Sequence, residues 1–511
     1  MSERRKRRNW WLKAILGIAL ALLIPVVVLI GCRKTWIRPL PGVRVKMTRP
    51  MVRESDLGPD SAYRLLLLAS GRPTRPMLPW GAPPVSTVEM AELLTRLRLH
   101  GWPADPPTPD PPGGLDLPAG EERLLTPPLT PSWSREQCED IQQLLALYEP
   151  KIALLDRALA APDPQMPTPD AAHGSTPDWS RAVQLAQWLA VSAECRAATG
   201  NHAGAFRDLG RAVDMGNLLC RGGGTTKHRI AIACQTIAMD SAWQIAAQHD
   251  VPLPVLRQAA RQTLLAAARV EPVVEALRAN ALRVSGWVAH SDRAAFLILF
   301  SVHGRWATPP RSRRLKSFLV AILPIAGSTR QTISRNLECV YQHGIALAQT
   351  PYSAKTKAAY GTLAPRPTGE RGMWSIMLWT RDPVGYLWAA DLADIFGETH
   401  RRATRRDAML RGTALFLALK AYEIEHGTVP ERLERLVPEY LPHIPSDPFD
   451  GKPFRYLKSG VPGLPLAAWA VYSVGEDFTD DGGTVKGVGG LPGASDPDLV
   501  WPSQPYPAEE H

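Results

Sequence analysis

The chain has 511 residues, of which 45% are apolar and 21% are charged. These shares are close to those of ordinary globular proteins and exclude wholesale disorder. The 49 prolines indicate long linkers or loops, and six cysteines are too few for a disulfide scaffold.

The formal net charge of +10 is concentrated at the N-terminus. Residues 1–53 contain thirteen Lys or Arg and a single acid, Glu3, so this stretch alone carries +12. A nucleic-acid-binding protein carries its positive charge on a folded face. Here the basic residues flank an apolar segment, which indicates a membrane surface as partner and argues against nucleic acid.

The apolar segment between these basic flanks runs from Trp10 to Ile30. Its uncharged part, residues 14–30, would form a helix about 25 Å long, which is near the lower limit for crossing a bilayer. We therefore predict a cytoplasmic tail over residues 1–9 and a transmembrane signal anchor over residues 10–31. The expected localisation is a single-pass membrane protein with the bulk of the chain outside the cytoplasm.

Two alternatives concern the same segment. The run Leu29-Ile30-Gly31-Cys32 resembles a bacterial lipobox, which would make Cys32 a lipidation site and the protein a lipoprotein. The run from Arg7 to Lys13 resembles a twin-arginine export signal. The sequence leaves these alternatives open.

Residues 32–133 form a predicted proline-rich stalk with short helices over 56–70 and 86–99. Ten of the 31 residues from 101 to 131 are proline, a composition that cannot form a helix or a central strand. This part of the chain is typical of an extended linker.

An alanine-rich helical domain is predicted over residues 134–360. Helices are expected over 134–159, 178–200 and 203–219, followed by an apolar stripe at helical spacing between Ile230 and Ile245. The segment 181–215 resembles a tetratricopeptide-type hairpin, with Gly200-Asn201 as its turn, and the alternative is an ordinary pair of helices. No second copy follows at the expected period, so a repeat array is not predicted.

A connector is predicted over residues 361–399, and the sequence pattern of the C-terminal region differs from that of the helical domain. A helix is predicted over 401–426 and ends at Gly427. Two strands, residues 454–456 and 468–474, then follow with a turn at Asp450-Gly451 between them and the preceding segment.

Residues 400–511 resemble the globular domain of the major pseudopilin of type II secretion and related pilin-like domains. The residues that carry this resemblance are Tyr422, Gly427, Pro430, Leu433, Leu436, Leu441, Pro445, Asp447-Pro448-Phe449, Gly451, Phe454, Tyr456, Tyr472-Ser473-Val474-Gly475, Asp477 and Asp498-Leu499. The whole chain resembles uncharacterised anchored bacterial envelope proteins with this ending. In a pseudopilin the apolar assembly helix directly precedes the globular domain, whereas here it lies far upstream, so filament polymerisation is not expected.

The resemblance also implies a calcium ion in the loop after the second strand. This loop contains Glu476, Asp477, Asp480 and Asp481 together with Gly482-Gly483. Calcium takes six to eight hard oxygen ligands, although the spacing differs from that of an EF-hand loop. The alternative is a solvated acidic turn.

No motif for catalysis is found. The sequence lacks a zinc-protease His-Glu-x-x-His motif and a Gly-x-Ser-x-Gly nucleophile elbow. The run Gly222-Gly223-Gly224-Thr225-Thr226-Lys227 lacks the Gly-Lys-Ser/Thr order of a phosphate-binding loop and is interpreted as a hinge that breaks a helix. His202, Cys220, His228 and Cys234 lack the spacing of metal ligands.

The predicted fold class is therefore a multidomain α+β protein with a transmembrane helix, a helical middle domain and a pilin-like C-terminal domain. The predicted function is a non-enzymatic, membrane-anchored scaffold or accessory protein of a bacterial envelope assembly, related to secretion or pilus machinery. The alternatives are an enzyme with a motif-less site in the helical domain and a purely structural envelope protein.

Overall fold

A computed structural model describes residues 52–70, 135–162, 164, 166–167, 179–290, 330–364, 382–459, 469–483 and 498–502. The predicted anchor, Cys32, the helix over 86–99 and the proline-rich linker over 101–131 lie outside the described residues.

The described chain consists mainly of helices. Their bounds are α1 Ala62–Ala69, α2 Arg135–Leu159, α3 Ser180–Ala198, α4 His202–Cys220, α5 Thr225–Gln248, α6 Leu253–Ala268, α7 Val273–His290, α8 Arg330–Ala348, α9 Ala354–Leu363 and α10 Pro383–His426. The strands are β1 Arg455–Leu457, β2 Ala470–Ser473 and β3 Leu499–Trp501.

The expected α+β class with a transmembrane helix is wrong. Of the interpretable residues 70% are helical, and the described strands contain only three or four residues each. None of the helices in the described ranges combines the length and the apolarity needed to cross a bilayer. The longest, α10, carries charged residues from Asp391 to Glu425. This finding overturns the expected single-pass membrane localisation.

Helices α3 and α4 form the hairpin that the sequence predicts. Gly200 has a left-handed φ of 83°, and the Asn201 side chain accepts a hydrogen bond from the Gly204 N–H at 3.0 Å. Asn201 therefore caps α4 directly after the turn. Ala193 and Ala205 are fully buried, so two alanines permit the close packing of the helix pair.

The 44-residue helix α10 joins two hydrophobic cores. It begins at Asp382, whose carboxylate accepts a hydrogen bond from the Gly385 N–H at 2.9 Å, with Pro383 as the first helical residue. At a rise of 1.5 Å per residue, α10 is about 66 Å long. Its C-terminal half, with Leu410 and Leu417, packs in the first core with α1 to α6 and the sheet. Its N-terminal half, with Phe396, packs in the second core with α7, α8 and α9.

The three strands form an antiparallel sheet in the order β1-β2-β3. Val471 and Trp501 of β2 and β3 face α10 in the first core, whereas Tyr472 and Val500 form a small cluster on the other face. Helix α10 ends at Gly427, which has a left-handed φ of 68° and donates its N–H to the Glu423 carbonyl at 2.8 Å. We call α10 from Gly412 onward, together with residues 427–502, the C-terminal module.

Candidate cation site in the C-terminal module

Close packing fixes the sheet of the C-terminal module on α10. A Cβ atom added at Gly412 would lie 2.6 Å from two carbons of the Trp501 ring. The indole of Trp501 is buried and contacts Phe454 with ring centroids 6.1 Å apart. A glycine is therefore required where β3 approaches the helix.

Asp447 connects the turn before β1 to the end of β2. Its buried carboxylate accepts hydrogen bonds from the Phe449 N–H at 2.9 Å, the Ser473 hydroxyl at 3.0 Å and the Val474 N–H at 3.0 Å. Arg455 lies 3.5 Å from the same carboxylate. These bonds explain why the Asp447-Pro448-Phe449 run suits this position. Through them, Asp447 holds in place the start of the acidic turn, which comprises residues 475–483.

The four predicted metal ligands of the acidic turn face different partners. Glu476 forms ion pairs with Arg401 and, at 3.3 Å, with Arg405 of α10. Asp477 accepts a hydrogen bond from the Thr479 N–H at 3.0 Å. Glu476 thus ties the turn to the long helix.

Asp480 and Asp481 complete the predicted set. The Asp480 carboxylate accepts hydrogen bonds from the Tyr472 hydroxyl at 2.9 Å and from Arg455 Nε at 3.2 Å. These bonds outweigh its partial desolvation and lower the pKa of Asp480. Asp481 follows it directly and adds negative charge to the same turn.

Asp498 is the acidic residue that the sequence analysis did not place in the site. It lies directly before β3, is only 6% exposed, and its Oδ2 accepts a hydrogen bond from the Gly483 N–H at 2.8 Å. Its Oδ1 is buried and has no hydrogen-bond partner among the residues that the structure describes. Burial, reinforced by Asp480, Asp481 and Asp477, raises the pKa of Asp498 to about 6. The only indication of Asp498 in the sequence was that it belongs to the terminal acid-aliphatic pair Asp498-Leu499.

A buried carboxylate with an unpaired oxygen and several acidic neighbours is costly. Two events relieve this cost, namely protonation of Asp498 or the arrival of a cation with hard oxygen preference. In the described parts of the chain, no group of three or more His, Cys, Asp or Glu side chains is arranged as a metal site. The observations that favour calcium here are the unpaired oxygen of Asp498 and the negative charge of the aspartates around it.

Backbone strain accompanies this turn. Phe478 has a φ of 63° and is the one non-glycine residue with a positive φ among those described. Its ring packs against Tyr352 and Phe449, with centroid distances of 5.8 and 6.1 Å. The acidic turn is thus anchored to the second core, and strained residues of this kind are common at functional sites.

The cysteines show no metal grouping within the described ranges. Cys138, Cys195, Cys220 and Cys234 are buried free thiols, and Cys339 is exposed. Burial raises the pKa of Cys220 to about 12, so this thiol is protonated at neutral pH.

Comparison with known protein families, curated proteins and solved structures gives no match for this chain.

Proposed function

We propose that this protein is a non-enzymatic scaffold that serves as an accessory component of a bacterial secretion- or pilus-type assembly. Its C-terminal module is the contact surface for partners, and calcium stiffens that surface. The observation that carries the proposal is Asp498, whose buried Oδ1 has no partner in the described part of the chain and lies in the field of three other aspartates.

The order of elements supports the pilin-like part of the proposal. A long helix, α10, precedes a three-stranded antiparallel sheet that packs on the helix, and the acidic turn follows β2. This is the order that the resemblance to pseudopilins implies. The helix that precedes the sheet is largely covered by α5, α6 and α8, which suits a scaffold better than a filament subunit.

The residues that would hold calcium are Asp477, Asp480, Asp481 and Asp498. Calcium would neutralise their mutual repulsion and give the Asp498 Oδ1 a partner. Because the acidic turn is also tied to Arg401 through Glu476, ordering the turn would also fix its position on α10.

The experiment is a pull-down of the tagged full-length chain from its host, in calcium and in EDTA, read by mass spectrometry. We expect secretion or pilus components to be recovered in calcium and lost in EDTA and in the Asp498→Asn variant. Asp60→Asn is the matched control, because Asp60 is an exposed acid outside the module that pairs with Arg157. Recovery of the chain alone, or of the same partners with and without calcium, would overturn the proposal.

A further inference from the structure

Two buried cysteines lie side by side on neighbouring helices. Cys138 belongs to the first turn of α2, and Cys195 belongs to the last turn of α3, against which α2 packs. Both side chains are fully buried. Their thiol groups are hydrogen-bonded to each other, with Cys195 as the donor. The two sulfurs are therefore in contact across the α2–α3 interface.

The other thiols of the described residues have different neighbours. The sulfur of Cys220 accepts a hydrogen bond from Arg406 at 3.8 Å. The sulfur of Cys339 is exposed on α8 and lies 3.6 Å from His343 Nδ1. Cys234 is buried in α5. The contact between α2 and α3 thus singles out one pair of thiols for a reaction with each other.

We propose that Cys138 and Cys195 are a modification site, at which a disulfide of the glutathione class converts the two thiols into a disulfide bond. The bond requires the sulfurs to approach to about 2 Å. The first turn of α2 can supply this movement, because the N–H groups of a first helical turn have no partners within the helix and constrain the backbone less.

The bond forms by two successive exchanges. The Cys138 thiolate attacks one sulfur of glutathione disulfide, which gives a mixed disulfide and releases one glutathione thiolate. The Cys195 thiolate then attacks the Cys138 sulfur and releases the second glutathione. Two electrons pass from the two cysteine sulfurs to glutathione, and the two thiol protons are taken up by the two released glutathione thiolates.

The surroundings of the pair determine which thiol reacts first. Burial raises the pKa of both thiols, so both react slowly while they remain inside the core. The hydrogen bond between them lowers the pKa of Cys138 against this effect, whereas it raises that of Cys195 further. Cys138 also lies near a helix end, where local opening costs little free energy. Cys138 is therefore the thiol that attacks glutathione disulfide.

The bond would tie the start of α2 to the end of α3. It closes a loop over residues 138–195, and closing a long loop stabilises the folded state by restricting the unfolded chain. Because both sulfurs are fully buried, the finished bond is also shielded from reducing thiols. We expect the oxidised protein to unfold at a temperature a few degrees above that of the reduced protein.

The test maps the disulfide in the full-length wild type. Reduced protein is incubated in native buffer with excess glutathione disulfide and quenched with acid, and its free thiols are alkylated in denaturant before digestion and mass spectrometry. We expect a linked peptide that joins Cys138 to Cys195 and disappears on reduction. Recovery of both cysteines in alkylated form, or a link between Cys220 and Cys234 in its place, would overturn the proposal. This mapping needs no variant.

Two variants connect the bond to stability. In Cys138→Ser, the difference in unfolding temperature between the oxidised and the reduced protein should vanish. Cys339→Ser is the matched control, because its thiol is exposed and lies on a different helix, so both the link and the temperature difference should remain. An equal temperature difference in Cys138→Ser and in the wild type would show that another reaction stabilises the oxidised protein, which would contradict the proposed site.

Discussion

The pKa of a single carboxyl, that of Asp498, depends on the acidic turn around it. Its folded-state pKa of about 6 lies above its ordinary value of 3.8, so the folded state holds this proton more tightly than the unfolded state does. The stability that this proton contributes is complete below pH 4 and is lost as the pH rises through 6. A shift of this size corresponds to about 3 kcal/mol.

The Asp498→Asn variant tests this account at the residue scale. Without calcium, we expect the variant to be more stable than the wild type at pH 7.5 by about 1–3 kcal/mol, because its amide carries no charge to be desolvated. At pH 4 the two proteins should be nearly equal. Urea unfolding in EDTA at both pH values measures the difference. A variant that is less stable than the wild type at pH 7.5 would show that the Asp498 carboxylate is not in an unfavourable environment.

At the scale of the elements, helix α10 determines where the sheet lies. The end of α10 at Gly427 agrees with the prediction from the sequence, since a left-handed glycine ends the helix there. The start differs: the helix begins at Pro383, whereas a start near residue 401 was predicted because the segment before it was interpreted as a connector. The Asp382-Pro383 pair, a cap followed by proline at the first helical position, was the signal that could have corrected it.

The contact between Gly412 and Trp501 gives a prediction for these elements. Gly412→Ala should destabilise the protein by about 1–3 kcal/mol, because the added methyl group meets a buried indole that has no room to move. Gly210→Ala, in α4, has open space around its Cβ and should stabilise the protein by about 1 kcal/mol through helix propensity. Urea unfolding of the two variants measures whether each substitution raises or lowers the free energy of unfolding. An equal effect of both substitutions would contradict the close packing of β3 on α10.

At the scale of the whole molecule, α10 belongs to both cores. Phe396 packs against Tyr341 in the second core with ring centroids 5.0 Å apart, and Phe416 packs against Trp469 in the first core at 5.3 Å. Because one uninterrupted helix contributes both phenylalanines, we expect the two cores to unfold together.

This cooperativity can be measured. Phe396→Ala and Phe416→Ala should each cost about 3–5 kcal/mol, since both rings are almost fully buried. Each variant should shift one common unfolding transition, followed by tryptophan fluorescence and by circular dichroism. Two separate transitions, with Phe396→Ala shifting only one of them, would show that the cores are independent.

Local features of this fold could be predicted from the sequence, and long-range ones could not. The α3–α4 hairpin, the end of α10 and the strand around Val471 follow from turn residues and periodicity. The composition of the two cores depends on which helices α10 contacts, and no local sequence pattern determines these contacts. Likewise, the sequence predicted an acidic turn but missed Asp498, which the sheet brings to Gly483 from 15 residues away.

The most direct test of the proposed function is a calorimetric calcium titration of the full-length protein beside Asp498→Asn at pH 7.5. The account predicts saturable binding to the wild type, with an affinity at least tenfold weaker in the variant and unchanged in Asp60→Asn. Absence of binding at millimolar calcium, or equal binding by the wild type and Asp498→Asn, would contradict a calcium-stiffened contact module.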